Sequence, residues 1–301
     1  MLFEHPLTQG TLDQRLVKVS TMSIKDLLNA RYGSSQHTLA HLSSEALNAL
    51  HTETFEGLLK HRSVRAYETR AVPEHTVEMM VAAAQSASNS SNFQTWSVVS
   101  VTDPERKARL NAVSGNQKHI DACPLFLVWI ADLARLRSLG EQRQVPHASL
   151  DYLESFLVAN IDAALAAQNA AVAAEAAGLG VVYIGGIRNQ ADVVAKELGL
   201  PSSSFACFGM CVGYPDPSKP ASIKPRLPVS AVLHKEQYDQ NAFDAATREY
   251  NTIMNRFYTD QKMNTPGEWD LHTLSRLSGE KVLRGRENLK KNVNLLGFEL
   301  K

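Results

Sequence analysis

The chain has only three cysteines, Cys123, Cys207 and Cys211, each in apolar surroundings. Three thiols cannot build a secreted disulfide framework, so a reducing cytoplasm is the expected compartment. No histidine or further cysteine stands near Cys207 and Cys211, which read as core residues and not as metal ligands. Four apart in a predicted strand, these two are expected to share a face. An excess of charge of one sign is also missing. With 31 basic and 31 acidic residues, the chain is no general nucleic-acid binder. Repeats and low-complexity tracts are absent. Residues 1–21 lack an apolar core region and a small-residue cleavage site, which excludes a signal peptide. Among catalytic motifs there is no GxSxG, no HExxH, and no cysteine with a clear base partner.

What the chain does have is one long apolar run. Glu154 to Ala177 reads ESFLVANIDAALAAQNAAVAAEAA, rich in the best helix former and free of Pro and Gly. Apolar on nearly every side, this helix is expected to be buried on nearly every side. Asp162 and Glu175 inside it argue against a membrane span. Gly178 and Gly180 end the helix. Val181-Val182-Tyr183-Ile184 follows as a buried strand, closed by Gly185-Gly186. These glycines end a helix and open a strand, whereas a dinucleotide-binding loop follows a strand and opens a helix.

Around this run, strands are predicted at Phe93–Val101, Pro124–Ala131, Phe205–Tyr214 and near Ala231–Leu233. Helices are predicted from Met22, from Ser43 to Leu59 with a break near Thr52, from Pro73, from Asp103 and from Gln190. Two more are expected over Asn241–Tyr258 and Gly279–Asn294. The pattern fits an α+β fold, a three-layer sandwich with a mixed sheet between helices. Residues 1–45 read as an N-terminal extension and linker, with Met22 as an alternative start, and 46–301 as the domain.

The chemistry-bearing residues are cations and amides. Arg62 and Arg65 flank Ser63 in one short segment, and Lys224 and Arg226 sit in another that Pro225 and Pro228 stiffen. Together they suit a phosphate, for which arginine is the preferred partner, each charge-assisted bond contributing about 1.5–3 kcal/mol. A solvated basic surface is the bland alternative. Ser88–Asn92 is a run of hydroxyls and amides at a helix end, a turn by default and a polar ligand edge otherwise. His61 is a candidate ligand contact, but the sequence reveals no carboxylate to orient it as a base. A chain poor in side-chain chemistry and rich in anion and amide binding points to a bound cofactor as its reactive group.

Six segments in order carry a resemblance: HRSVRAY (61–67), SNSSNFQ (88–94), GNQKHI (115–120), GLGVVYIGGIRN (178–189), FGMCVGYP (208–215) and KPRLP (224–228). Together they resemble the FMN-dependent nitroreductase family over about residues 55–300. The nearest branch is that of the major oxygen-insensitive NADPH nitroreductase and the NADPH-flavin reductases. The resemblance implies a homodimer with FMN at the subunit interface and NADPH or NADH as donor. It places Arg62, Ser63, Arg65 and Arg226 at the phosphate, His61 in the same pocket, and Lys224 near the flavin N1 side. Gln117, Asn89 and Ser90 would meet the ring edge and ribityl chain, partly from the other subunit. Tyr183, Ile184, Gly185 and Gly186 would approach the ring. Ser91, Asn92 and Arg286 would face the substrate. No side chain is catalytic in this scheme, because the chemistry occurs on FMN.

Two departures stand out. The branch's basic loop after the long C-terminal helix corresponds to Thr259–Pro266, which keeps one cation, Lys262. An aromatic of the serine-rich loop is replaced by Asn92. The expected function is two-electron ping-pong reduction of nitroaromatics, quinones or flavins, with a small-molecule acceptor and neither nucleic acid nor membrane as partner. A flavin store or sensor without turnover, and a reductase dedicated to one metabolite, stay open as alternatives.

Overall fold

A computed structural model of the chain describes residues 22–49, 51–265 and 267–301. The expectation for residues 1–21 lies outside this range. Helix α1 (Ile24–Tyr32) starts with a capping box between Ser23 and Asp26 and stops at Gly33, whose φ of 65° is left-handed. Helices α2 (Ser44–Ala49) and α3 (Glu53–Lys60) follow, separated at the expected break, where Thr52 caps α3. Ile24 and Leu28 of α1 pack on Leu47 of α2 and Phe55 and Leu59 of α3. The described part of the N-terminal extension therefore shares a small core with the start of the domain.

The extended segment 61–67 is held by two single bridges, Ser63 parallel to Val181 and Tyr67 antiparallel to Pro215. After it come α4 (Thr76–Gln85), β1 (Trp96–Val101), α5 (Pro104–Val113), α6 (Lys118–Ala122), β2 (Leu125–Asp132) and α7 (Ala134–Arg143). Asp103 caps α5 with Pro104 in its first turn, as its sequence suggests. The long helix is α8 (Leu153–Ala176), followed by β3 (Gly180–Ile184), α9 (Ala191–Glu197), β4 (Ser204–Gly213), α10 (Ala242–Asp260), α11 (Trp269–Ser275) and α12 (Leu289–Leu295).

The strands run in the order β1-β2-β4-β3, and all three neighbouring pairs are antiparallel. The mixed sheet expected from strand–helix alternation is corrected accordingly. Alternation does not fix direction, and the Ser63–Val181 bridge is a lone parallel contact. Helices α4 and α8 cover Leu125, Leu127, Trp129, Met210 and Val212 on one face. On the other face Leu110 of α5, Ile120 of α6 and Val194 of α9 meet Phe126, Val128 and Cys211. The three layers are as expected.

Several local expectations fail for identifiable reasons. Trp129 pairs with Phe208 but Ile130 with Ala206, so Cys207 is an extra residue in β4. Such a bulge inverts the alternation. Cys207 thus packs with Phe205 and Ala131, while Cys211 packs with Phe126 and Val128 in the other layer, and the two do not share a face. The strand expected at Ala231–Leu233 is a single 3-10 turn, Val229–Ala231, with Val232 and Leu233 exposed. The helix expected over Gly279–Asn294 is broken by left-handed Arg284 and Gly285 (φ 55° and 101°), which leaves one-turn pieces before α12. Helices α6 and α7 lie where no helix was expected, because both are short and polar.

Helix α8 is the one described helix long and apolar enough to cross a bilayer. Here it lies on the sheet through Ala159, Ala163, Ala166, Ala167, Ala170, Ala171 and Ala174. Burial on nearly every side does not occur within one chain: Leu157, Ile161 and Leu165 remain 47%, 57% and 44% exposed. Asp162, at 2% exposure, accepts from Ser90 N (3.1 Å), Thr95 N (3.3 Å) and Thr95 Oγ1 (2.8 Å), and so anchors the serine-rich loop. Ser91, Asn92 and Gln94 in that loop are all left-handed, a conformation that non-glycine residues hold only when their surroundings impose it. Asp162→Ala strands three donors, two of them on buried Thr95, and is expected to cost about 2–3 kcal/mol. A urea midpoint that falls at unchanged m-value checks it, and an unshifted midpoint contradicts it.

Candidate functional site

The two basic segments meet at the C-terminal end of α8. His61 follows α3, and its Nδ1 lies 2.8 Å from Oε1 of Glu175 in the last turns of α8. Glu175 is the carboxylate partner that the sequence does not reveal. Next to it, Val64 N donates to Val181 O (2.9 Å), which lays the segment along the start of β3. This close approach needs Gly180, where a Cβ would sit 2.5 Å from the Val64 side chain. A cleft of about 480 Å³ opens beside His61 and Arg62, lined also by Glu175 and Gly180. From the second segment, Arg226 N donates to Arg31 O (2.8 Å), and the Tyr250 hydroxyl donates to Pro225 O (2.9 Å). Burial pushes the Tyr250 phenol up to about 12, so it serves as a donor.

The charges here are unbalanced. Lys224 is partly buried, and its ammonium is pulled below the usual lysine range by that burial and by Arg65 and Arg226. Among the described residues no carboxylate pairs with Arg62, Arg65, Lys224 or Arg226, whereas Lys60 pairs with Glu56 and His61 with Glu175. Like charges gathered without a counter-charge suit an anion, and Arg62, Ser63 and Arg65 line up with them.

Strand β3 leads away from this cluster. Gly185 lies four residues beyond Val181, about 13 Å along an extended chain. There the chain turns through a 3-10 turn, Gly185–Arg188, against the loop that carries Gln117. Gln117 Nε2 donates to Ser114 O (2.9 Å), and Gly186 is so close that a Cβ would lie 2.3 Å from that same oxygen. The Tyr183 hydroxyl donates to Gln168 of α8 (3.4 Å), while Ile184 is buried in the sheet. Arg286 Nε donates to Leu283 O (2.9 Å), which holds its guanidinium near that of Arg188. Buried Ser114 Oγ and Asn189 Oδ1, with His119 Nε2, have no partner among the described residues. Cations at one end of a strand, and glycines with unpartnered polar atoms at the other, fit an elongated ligand with one anionic end.

Asn89, Ser90, Ser91 and Asn92 are not brought to this place within one chain. Asp162, which anchors their loop, precedes Glu175 by thirteen residues on α8, or about 20 Å at 1.5 Å per residue.

The nitroreductase family's sequence profile matches residues 58–214, and the profile of its C-terminal domain matches 224–301. The FMN reductase (NADPH) of Bacillus subtilis is 39% identical over 212 residues, 69% of this chain and 84% of the relative. The oxygen-insensitive NADPH nitroreductase of Salmonella typhimurium is 36% identical over 73% of this chain and 88% of its own. The solved NADPH:FMN oxidoreductase from Vibrio harveyi, complexed with NAD+, superposes with a TM-score of 0.71 at 32% identity, covering 83% of this chain and all of that one (100%). The chain belongs to the nitroreductase family.

Several residues around this candidate site escaped sequence reading. Glu175 and Asp162 read as polar breaks in an apolar helix, although a buried carboxylate in such a helix is itself a signal of a specific partner. His119 sits within GNQKHI but carried no separate expectation. Burial and Arg65 hold its imidazole below the usual histidine range, which favours the neutral form. Arg31 lay in the stretch set aside as an extension. Gly186→Ala is expected to lose about 1–3 kcal/mol, since its Cβ meets a backbone carbonyl. Gly185→Ala, which meets only the flexible end of Arg188 at 3.4 Å, is expected to stay within about 0.5 kcal/mol of wild type. Equal thermal-unfolding shifts for the two variants would contradict this contrast.

Proposed function

We propose that the chain is an FMN-dependent NAD(P)H oxidoreductase that reduces nitroaromatics, quinones or free flavin by two-electron ping-pong transfer. The observation that carries this reading is the uncompensated cation cluster at one end of β3, with the glycine turn at the other. Bound FMN supplies hydride exchange between a reduced nicotinamide donor and an acceptor. The residues then have distinct tasks. Arg62, Ser63, Arg65 and Arg226 hold the phosphate, and His61, oriented by Glu175, lines the same pocket. Lys224 presents its ammonium on the N1 side, where negative charge develops on reduction, and so favours that state electrostatically. Gln117 bonds the ring edge. Tyr183, Ile184, Gly185 and Gly186 bring backbone close to the ring and leave its open face accessible. Arg286, with Ser91 and Asn92, faces the substrate. With Lys262 as the one cation of 259–266, NADPH and NADH both serve as donors.

The functional unit in this proposal is a homodimer. The exposed row of Leu157, Ile161 and Leu165 flanks Asp162 on α8, along the part of the helix that anchors the serine-rich loop. A two-fold copy packed along α8 sets the partner's Asn89–Asn92 loop toward this chain's basic segments, and an isologous contact completes both sites at once. Placement in the cytoplasm belongs to the same proposal, supported by three free, buried cysteines.

Purified chain is expected to be yellow, to carry stoichiometric FMN and to consume NAD(P)H with menadione. Colourless protein that takes up no added FMN ends the reading, and bound FMN without turnover would leave a flavin store or sensor. Ile161→Glu places a charge on the exposed row, not in the core. It is expected to give a folded monomer by light scattering, with FMN binding weakened by more than about tenfold, or 1.4 kcal/mol. A variant that stays dimeric with FMN tightly bound would remove the shared-site argument.

A further inference from the structure

Helix α1 lies outside both family profiles, which begin at residues 58 and 224. Yet its last turn sits between the two basic segments. Arg31 Nη1 donates to Lys224 O (3.2 Å), and Nη2 donates to Leu59 O (2.9 Å) and His61 O (2.8 Å). Its own carbonyl accepts from Arg226 N (2.8 Å). One residue thus bonds the backbone of Lys60–Arg65's flank and the backbone of Lys224–Arg226. The helix end is fixed as well. Gly33 abuts Ile253 and Pro225, where a Cβ would lie 2.3 Å and 3.0 Å away, and its carbonyl accepts from Arg256 Nη2 (2.8 Å).

We propose that α1 is a clamp which this chain adds to the nitroreductase fold, with Arg31 as the positioning residue that sets the spacing of the two phosphate-binding segments. Arg31 does two things there. Its planar fork spans carbonyls from both segments, which a single ammonium cannot do with the same geometry. It also occupies Leu59 O and His61 O, end-of-helix carbonyls whose partial negative charge would otherwise face an incoming anion. The inference rests on the FMN reading above, and Arg31 itself is not placed on the phosphate.

The test compares FMN with riboflavin, which lacks the phosphate, by titrating full-length, flavin-stripped chain and following flavin fluorescence. Arg31→Ala and Arg31→Lys are both expected to weaken FMN by at least about tenfold while riboflavin stays within about twofold of wild type. Lysine keeps the charge and much of the length, so Arg31→Lys decides the matter even if Arg31→Ala fails to fold. FMN affinity of Arg31→Lys within about twofold of wild type overturns the clamp, and so does an equal loss for the two flavins. Wild-type chain that binds neither flavin ends the FMN reading itself, and the clamp with it.

Discussion

The contact of the α8 alanine face with the sheet fixes where the serine-rich loop and the His61 segment sit relative to each other. Alanines at 159, 163, 166, 167, 170, 171 and 174 let the helix lie close on β2 and β4. Close packing makes the helix a rigid bar. Asp162 and Glu175 project from it at fixed separation, the first toward the serine-rich loop and the second toward His61. Larger side chains on that face would lift the bar and move both anchors. Leu157, Ile161 and Leu165 of the same helix remain exposed within one chain.

Electrostatics then divides the site. Glu175 has partners at hand, with the His61 imidazole at hydrogen-bond distance and the Arg31 guanidinium within its field. Around Lys224 the charges are unbalanced, and the ammonium feels burial and two guanidiniums together. A protein tolerates such a cluster where a bound anion completes it. The far end of β3 is built of glycines, a carbonyl in contact with Gln117, and buried polar atoms without partners among the described residues. The C-terminal chain, broken at Arg284 and Gly285, packs here on Asn189, where a Cβ on Gly285 would lie 2.3 Å from its carbonyl oxygen. The break that defeats the helix expectation for 279–294 is thus what lets this segment follow the surface of the site.

The same framework accommodates an addition. Residues before 58 fall outside the family profiles, and the described ones form a small core of their own with α3. Their contact with the shared fold is concentrated in Arg31, Gly33 and the segments they touch. An added helix can therefore act on the site through backbone carbonyls without entering it.

The sequence by itself determined the four strands of the sheet, the long helix, the start of α5 at Asp103, and the types of residue gathered at the candidate site. Each of these is a local signal: a run of β-branched residues, an alanine-rich stretch, a capping residue, or cations grouped within a few positions. The direction of the strands, the bulge that puts Cys207 and Cys211 in different layers, and the pairing of His61 with Glu175 were decided only by tertiary structure. So was the attachment of the serine-rich loop to Asp162, well away from Glu175 on the same helix. In each case the deciding partner lies far away in sequence, and the energy that fixes the geometry comes from packing and from satisfying buried polar groups, neither of which any local window contains.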